Sequence, residues 1–161
     1  SDLLRDELTR TGQEITRENL AGLSRQWRQE SGDDGVMFTK AIEKYLAEKD
    51  AKGYKGLALV NARHPGEAQR VHEFGGSMVW VDADQRLRYD RLQLTNRGRA
   101  EDQKSFEEFQ ADEDREMHPP ADAPAGTLNM AAVRDAADIH IENHYASIDE
   151  YHDYLIKEFE L

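Results

Sequence analysis

The sequence predicts an α/β protein in which short buried strands alternate with longer amphipathic helices. Apolar residues recur at helical spacing through most of the chain. Three short apolar runs, GLALVNA, SMVWVDAD and DIHIEN, interrupt this pattern and are typical of buried strands. Because helical segments separate these runs, the strands are expected to lie parallel, with the helices as crossover connections.

The composition is typical of a single cytoplasmic domain. The 161 residues are enough to bury a core, and the absence of cysteine excludes disulfides and thiolate sites. The formal net charge of −12 argues against general nucleic-acid binding, which requires a broad basic surface. No apolar run is long enough to span a bilayer and no signal-peptide pattern opens the sequence, so no membrane partner is expected.

The N-terminal third is predicted to form three helices. Leucines at helical spacing open the first, and Gly12 ends it. Thr16 caps the second helix, which ends at Gly32. The segment VMFTKAIEKYLAEK forms the third, and the residues expected on its buried face are Phe38, Ile42, Tyr45 and Leu46.

The first two predicted strands follow. The apolar run from Gly56 to Ala62 is the first, and Pro65 suits the first turn of the helix after it. The run SMVWVDAD is the second strand. This run contains Asp82 and Asp84. We favour the interpretation that they end the strand and cap the next helix. The alternative is a paired-carboxylate site.

The remaining chain alternates again. A helix is predicted from about Gln85 to near Gly98, and a capping box at Ser105 and Glu108 opens the next one. After the proline-rich break HPPADAPAG come a helix around Leu128 to Ala136 and the third strand. A second capping box, at Ser147, opens a last helix whose apolar face is expected to contain Ile148, Tyr151, Leu155 and Phe159.

The segment QRLRYDRLQLTNRGR carries five arginines, one aspartate and no lysine. Arginine binds phosphate and carboxylate through two parallel hydrogen bonds, so the cluster predicts a site for a small anionic ligand. The leading candidates are Arg91, Arg97 and Arg99, followed by Arg88, whereas Arg86 is expected to face solvent. The alternative is a surface helix whose arginines pair with nearby carboxylates.

Two further polar residues lie where predicted strands end. Arg63 follows the first strand, and ligands gather at the carboxyl ends of parallel strands. Asn143 ends the third strand, where its amide either reads the edge of a base or forms a turn. His140 and His144 straddle a strand end and do not share a helical face, so no metal site is expected there.

Four segments, in order along the chain, resemble P-loop nucleotide kinases of the dephospho-CoA kinase-like family. SDLLRDELTRTGQEITRENL is similar to the acceptor-binding segment after the family's second strand, and LVNARHPGE to its D-G-I-R-x-P-x-E motif. VDADQRLRYDRL, NRGRAEDQKSFEEF and DEDRE together resemble its fourth strand, arginine helix and lid. ADIHIENHYASIDEY resembles the last strand, the base-contacting loop and the C-terminal helix.

The resemblance implies one kinase-like domain over residues 1–161, with a three-layer α/β/α parallel sheet. Acceptor-binding helices occupy residues 1–50, core strands 51–84, the arginine helix and lid 85–125, and the base-binding loop and last helix 126–161. The implied activity is ATP- and Mg²⁺-dependent phosphoryl transfer to dephospho-CoA, an NMP or a dNMP. The implied roles are substrate binding by Arg5, Arg63 and Arg88, catalysis by Arg91, Arg97 and Arg99, and contact of Asn143 with the base of ATP. Arg5 alternatively pairs with an acidic residue of its own helix.

Two departures from the family pattern qualify this activity. The chain has no G-x-x-x-x-G-K-[ST] phosphate loop, and Val60 and Asn61 replace the family's Asp-Gly pair. Because that loop neutralises much of the transferring charge, the chain alone is expected to be nearly inactive. The family's central strand is missing with the loop, so GLALVNA and SMVWVDAD either pair directly or receive a strand from a second chain. The alternative function is a non-catalytic nucleotide-binding or interaction protein with a degenerate donor site.

Overall fold

The computed structural model describes residues 2–95, 104–123 and 127–160, and helices dominate this part of the chain. A parallel pairing joins its two strands. The predicted α/β class is therefore confirmed, in a mostly helical form with a small sheet. In chain order the elements are α1 (Asp2–Arg10), α2 (Arg17–Ser31), α3 (Val36–Lys52), α4 (Pro65–Glu73), β1 (Val79–Asp82), α5 (Gln85–Thr95), α6 (Phe106–Met117), α7 (Met130–Asp135), β2 (Ile139–Glu142) and α8 (Ile148–Phe159).

The chain divides into two compact units, each built from two separate stretches of sequence. Unit 1 contains Ser1–Met78 and Glu116–Ala137, and thus α1 to α4 and α7. Unit 2 contains Val79–Arg115 and Asp138–Leu161, and thus both strands, α5, α8 and most of α6.

The sheet of unit 2 consists of two of the three predicted strands. Val79 lies opposite Ile139 and Asp82 opposite Glu142 in a parallel register. The Asn143 N–H donates to the Asp82 carbonyl at 2.7 Å, which continues the pairing one residue beyond β2. Among the described residues, β2 is the only strand that pairs with β1.

Several predicted helix ends are confirmed. The Thr16 hydroxyl accepts from the Asn19 N–H at 3.1 Å at the start of α2, and Gly32 ends that helix in the left-handed conformation, with φ of 63°. Ser105 and Glu108 make both bonds of the capping box at α6. Pro65 occupies the first turn of α4.

The core of unit 1 lies where α3 begins. Leu4, Val36, Met37 and Phe38 form a buried cluster, and apolar residues of α2 and of residues 59–71 pack against it. The first turns of α3 and α4 approach so closely that a Cβ on Gly66 would lie 2.7 Å from the Gly35 nitrogen. Glycine at these two positions therefore permits the contact between the helices.

The predicted strand from Gly56 to Ala62 is wrong. This segment has no strand structure, and Leu57 and Val60 are 42% and 74% exposed. No backbone hydrogen bond joins residues 55–62 to another described residue. An apolar run becomes a strand only when a neighbouring strand satisfies its N–H and C=O groups, and the described part of the chain provides no such neighbour.

Two residues placed on buried helix faces are also exposed. Leu46 in α3 is 47% exposed and Ile148 in α8 is 69% exposed, whereas Phe38 and Ile42 are buried as predicted. Helical spacing identifies an apolar face, but the neighbouring elements decide how much of that face is covered.

In the described residues, no helix is long and apolar enough to cross a lipid bilayer.

Candidate functional site

A surface cavity of about 570 Å³ lies in unit 2 beside the carboxyl end of β2. The loop between β2 and α8 forms one side of it, and α5 and the first turns of α8 form the rest. Most of its surface is apolar. Its lining residues include Arg91, Leu94, Asn143, Tyr145, Ile148 and Tyr151.

Arg91 fixes the loop that borders this cavity. Its Nη1 donates to the Asn143 carbonyl at 3.1 Å and its Nη2 to the Tyr145 carbonyl at 2.7 Å. The Asn143 N–H is held by Asp82 at the end of β1, and Ser147 caps α8 by accepting from the Glu150 N–H at 3.1 Å. The loop is therefore attached to α5, to β1 and to α8.

Tyr145 lies at the centre of an aromatic cluster. Its ring centroid is 5.0 Å from His144, 5.8 Å from Tyr151 and 5.3 Å from Tyr154. Burial, together with the neighbouring phenols of Tyr154 and Tyr145, raises the pKa of Tyr151, so this side chain remains a neutral hydrogen-bond donor at physiological pH. Neither Tyr145 nor Tyr151 was predicted as a site residue, although Tyr151 was placed on the apolar face of the last helix. The aromatic residues that follow the strand end in HYASIDEY were the available signal.

The polar groups of the cavity are unequally available to a ligand. One N–H on each terminal nitrogen of Arg91 is engaged by a carbonyl oxygen, and the Ser147 hydroxyl accepts a hydrogen bond at the start of α8. The side-chain amide of Asn143 makes no hydrogen bond to any residue that the structure describes. This amide offers both a donor and an acceptor.

The other described arginines of the cluster are engaged within unit 2. The Arg88 guanidinium pairs with Glu113, with Nη2 to Oε2 at 2.7 Å and Nε to Oε1 at 3.0 Å, and it also bonds Asp82. Arg86 pairs with Asp90 at 3.0 Å, as the alternative interpretation of the cluster predicts for a surface arginine. Arg97 and Arg99 lie outside the described residues.

Asp82, the last residue of β1, and Asp84, which follows the strand, have separate partners. The Asp84 carboxylate accepts from the Leu87 N–H at 3.1 Å and caps α5, as predicted. Asp82 bonds Arg88 and the Ala83 N–H. In the part of the chain that the structure describes, no group of three or more His, Asp or Glu side chains is arranged to hold a metal ion.

In unit 1, Arg63 has a backbone that is fixed on both sides. Its N–H donates to Glu67 Oε2 at 2.7 Å, and its carbonyl accepts from the Asn129 N–H at 3.2 Å. The Arg63 side chain is half exposed, and Glu116 is 3.8 Å from it. The Arg5 side chain is exposed on α1.

Glu67 is buried beneath Arg63 and was missed by the sequence analysis. Its side chain is 4% exposed and pairs with Arg28 at 2.9 Å. Burial and the charge of Arg28 lower the pKa of neighbouring His64, although the Glu67 charge opposes this. Arg28 and Glu67 are 39 residues apart, so no local pattern indicates that they meet.

Comparison with known proteins gives one informative similarity. The chain is 30% identical over 123 residues to UPF0200 protein TK1334 of Thermococcus kodakarensis. The match covers 72% of this chain. It covers 62% of the length of that curated relative, so the chain spans less than two thirds of it. No protein-family model and no solved structure matches the chain. The relative's name states no activity, so function has to be argued from the site.

Proposed function

We propose that this chain is a nucleotide-binding part of an ATP-dependent phosphotransferase whose acceptor is a nucleotide or nucleotide-like molecule. One observation carries the proposal. The unit 2 cavity brings together Arg91 and Asn143, two residues singled out separately in the sequence and 52 positions apart. The proposal agrees with the resemblance to nucleotide kinases, in which this loop contacts the base.

The chemistry of the cavity suits a nucleoside. Its volume of about 570 Å³ falls in the range of small-molecule sites, and such sites combine an apolar lining with a few polar groups. A base is flat and apolar on its faces, which suits the ring of Tyr145 and the side chain of Ile148. The amide of Asn143 is then the group that bonds the polar edge of the base.

Phosphate binding is proposed for the arginines. Arg63 supports this role best, because its backbone is fixed while its half-exposed guanidinium has one distant carboxylate partner. Arg5 is exposed and suits the acceptor phosphate, whereas Arg88 would have to leave Glu113 to contact a ligand. Catalytic roles for Arg91, Arg97 and Arg99 stay predictions.

The three-layer kinase fold is part of the same proposal. The parallel pair of β1 and β2 agrees with the last two strands of that sheet. Residues 55–62 have strand-forming composition but no strand structure and no backbone partner in the described residues, so a place for them in that sheet would require a neighbouring strand from a second chain or from a further segment of a longer protein.

A second candidate function is nucleotide binding without catalysis. It is favoured by Val60 and Asn61 in place of the Asp-Gly pair. In both proposals the cavity binds a nucleoside, so the same binding experiment tests them together. Turnover of ATP by a chain that includes a phosphate loop would distinguish them.

Binding of ATP and of adenosine, measured by calorimetry, tests the proposal. We expect both to bind, with Asn143→Ala weakening each by about tenfold, since a lost hydrogen bond costs roughly 1–1.5 kcal/mol. Gln29→Ala is the matched control, because Gln29 is an exposed amide on α2 in unit 1. If the wild-type chain does not bind at about 10 mM nucleoside, its affinity is weaker than that of any ordinary site, and this result would contradict a nucleoside cavity.

A further inference from the structure

We infer that Arg91 is a positioning residue for the nucleoside part of the ligand, and that it acts by holding the loop from Asn143 to Tyr145. This inference rests on the proposed function, because it concerns the same cavity. It differs from the role that the kinase resemblance implies, in which this arginine neutralises a transferring phosphoryl group.

The first step is the hydrogen bonding of Arg91. Its two terminal nitrogens donate to the carbonyls of Asn143 and Tyr145, at 3.1 and 2.7 Å. These two carbonyls belong to residues that flank His144 along the loop. A planar guanidinium can bridge two such acceptors at once, whereas an ammonium group lacks the fixed fork.

The second step is what the loop presents to the cavity. Asn143 carries the side-chain amide that has no partner among the described residues, and Tyr145 carries the ring at the centre of the aromatic cluster. Both residues line the cavity. Their positions depend on the backbone to which Arg91 is bonded, so Arg91 sets the geometry in which a base is contacted.

The third step concerns the charge of Arg91. Both bonded carbonyls are neutral dipoles, and no carboxylate forms an ion pair with Arg91 in the residues that the structure describes. These bonds use two of the five N–H donors of the guanidinium, so geometry alone does not separate holding the loop from binding a phosphate. The two roles differ in the ligand they affect: loss of the loop contacts weakens adenosine and ATP alike, whereas loss of a phosphate contact weakens ATP alone.

The experiment compares two ligands in three variants. Adenosine lacks phosphate and ATP has three, and binding of each is measured for Arg91→Ala, Arg91→Lys and the control Arg86→Ala. Arg86 is an exposed arginine of the same helix that pairs with Asp90. We expect Arg91→Ala to weaken the binding of adenosine and of ATP by the same factor of about ten or more. Arg91→Lys should restore little of the lost affinity, and Arg86→Ala should leave the affinity for both ligands unchanged.

Hydrogen exchange in the protein without ligand provides an independent measurement. We expect faster exchange at the amides of residues 143–146 in Arg91→Ala than in the wild type, with the sheet amides unchanged. Weakened ATP binding with unchanged adenosine binding would overturn the inference and assign Arg91 to a phosphate. If the wild type binds neither ligand, the proposed function fails. In that case the exchange measurement still tests the loop-holding role, which is rejected if the amides of residues 143–146 exchange in Arg91→Ala as in the wild type. If Arg91→Ala does not fold, the same comparison is made with Arg91→Lys.

Discussion

Alanine at Gly35 provides the most direct test of the packing in unit 1. Gly35 precedes α3 with φ of −85°, a conformation open to any residue, so its backbone alone does not require glycine. The space does. A Cβ added there would overlap the Gly66 carbonyl oxygen and would lie 2.7 Å from Arg70 Cγ and 2.8 Å from the Gly66 carbonyl carbon.

The size of the effect follows from these contacts. Carbon atoms pack favourably at about 3.5–4.0 Å, so the first turns of α3 and α4 have to separate by roughly 1 Å. Forcing one extra methyl group into a packed site costs about 1–3 kcal/mol, against a total stability of roughly 5–15 kcal/mol. For a chain of this length, we expect Tm to fall by about 2–4 °C per kcal/mol.

The assay can follow unit 1 separately, because Trp27 lies in unit 1 and Trp80 in unit 2. In a Trp80→Phe background, urea unfolding is monitored by Trp27 fluorescence. Gly22→Ala is the control, since Gly22 lies inside α2 with no atom near its missing Cβ, and we expect it to stabilise the protein by roughly 0.5–1 kcal/mol. Equal stability of Gly35→Ala and the wild type would refute the packing argument.

Two further predictions concern the ion pair of Arg28 with Glu67 and the neighbouring His64. Glu67→Ala should destabilise unit 1 by about 3–5 kcal/mol in urea unfolding, because it leaves the largely buried charge of Arg28 without its carboxylate partner. Alanine at the exposed Glu73 of the same helix should cost less than about 1 kcal/mol. A loss in Glu67→Ala no larger than in Glu73→Ala would contradict this. The lowered pKa of His64 means that the folded state binds fewer protons than the unfolded state below about pH 6.5, so the free energy of unfolding should decrease as pH falls from that value toward the folded pKa. His64→Gln should flatten this dependence between pH 7.5 and 5.5 (about one unit either side of the unfolded pKa), while glutamine at the exposed His152 should preserve it; an unaltered slope in His64→Gln would refute the assignment.

Local signals in the sequence were sufficient for most of the helices. Thr16, Gly32 and Ser105 identify helix ends because capping is a contact over two to five residues, which the sequence shows directly. The strands β1 and β2 were found from apolar composition. Residues 56–62 have the same composition and form no strand, since pairing depends on a distant neighbour that composition does not reveal.

The candidate site was predictable only in part, for a similar reason. Asn143 was identified because it follows a strand end, and its place in the cavity agrees with that expectation. The sequence indicated that Arg91 is available for a ligand, but its bonding partners are 52 and 54 residues away along the chain. The ion pair of Arg28 with Glu67 was missed because it spans 39 residues. Contacts of this length depend on the tertiary fold.

The division of the chain has a consequence for folding kinetics and for protein engineering. The backbone passes from one unit to the other after Met78, after Arg115 and after Ala137. A protease that cuts at one of these crossings leaves the units covalently joined, and neither unit can be expressed as one uninterrupted peptide. Met78 and Glu116, which flank the stretch Val79–Arg115, both belong to unit 1, so folding of unit 1 first fixes the separation of the two ends of that stretch and removes part of the loop-closure entropy that unit 2 would otherwise lose. The folding rates of the two units are therefore expected to be linked through the connectivity of the chain.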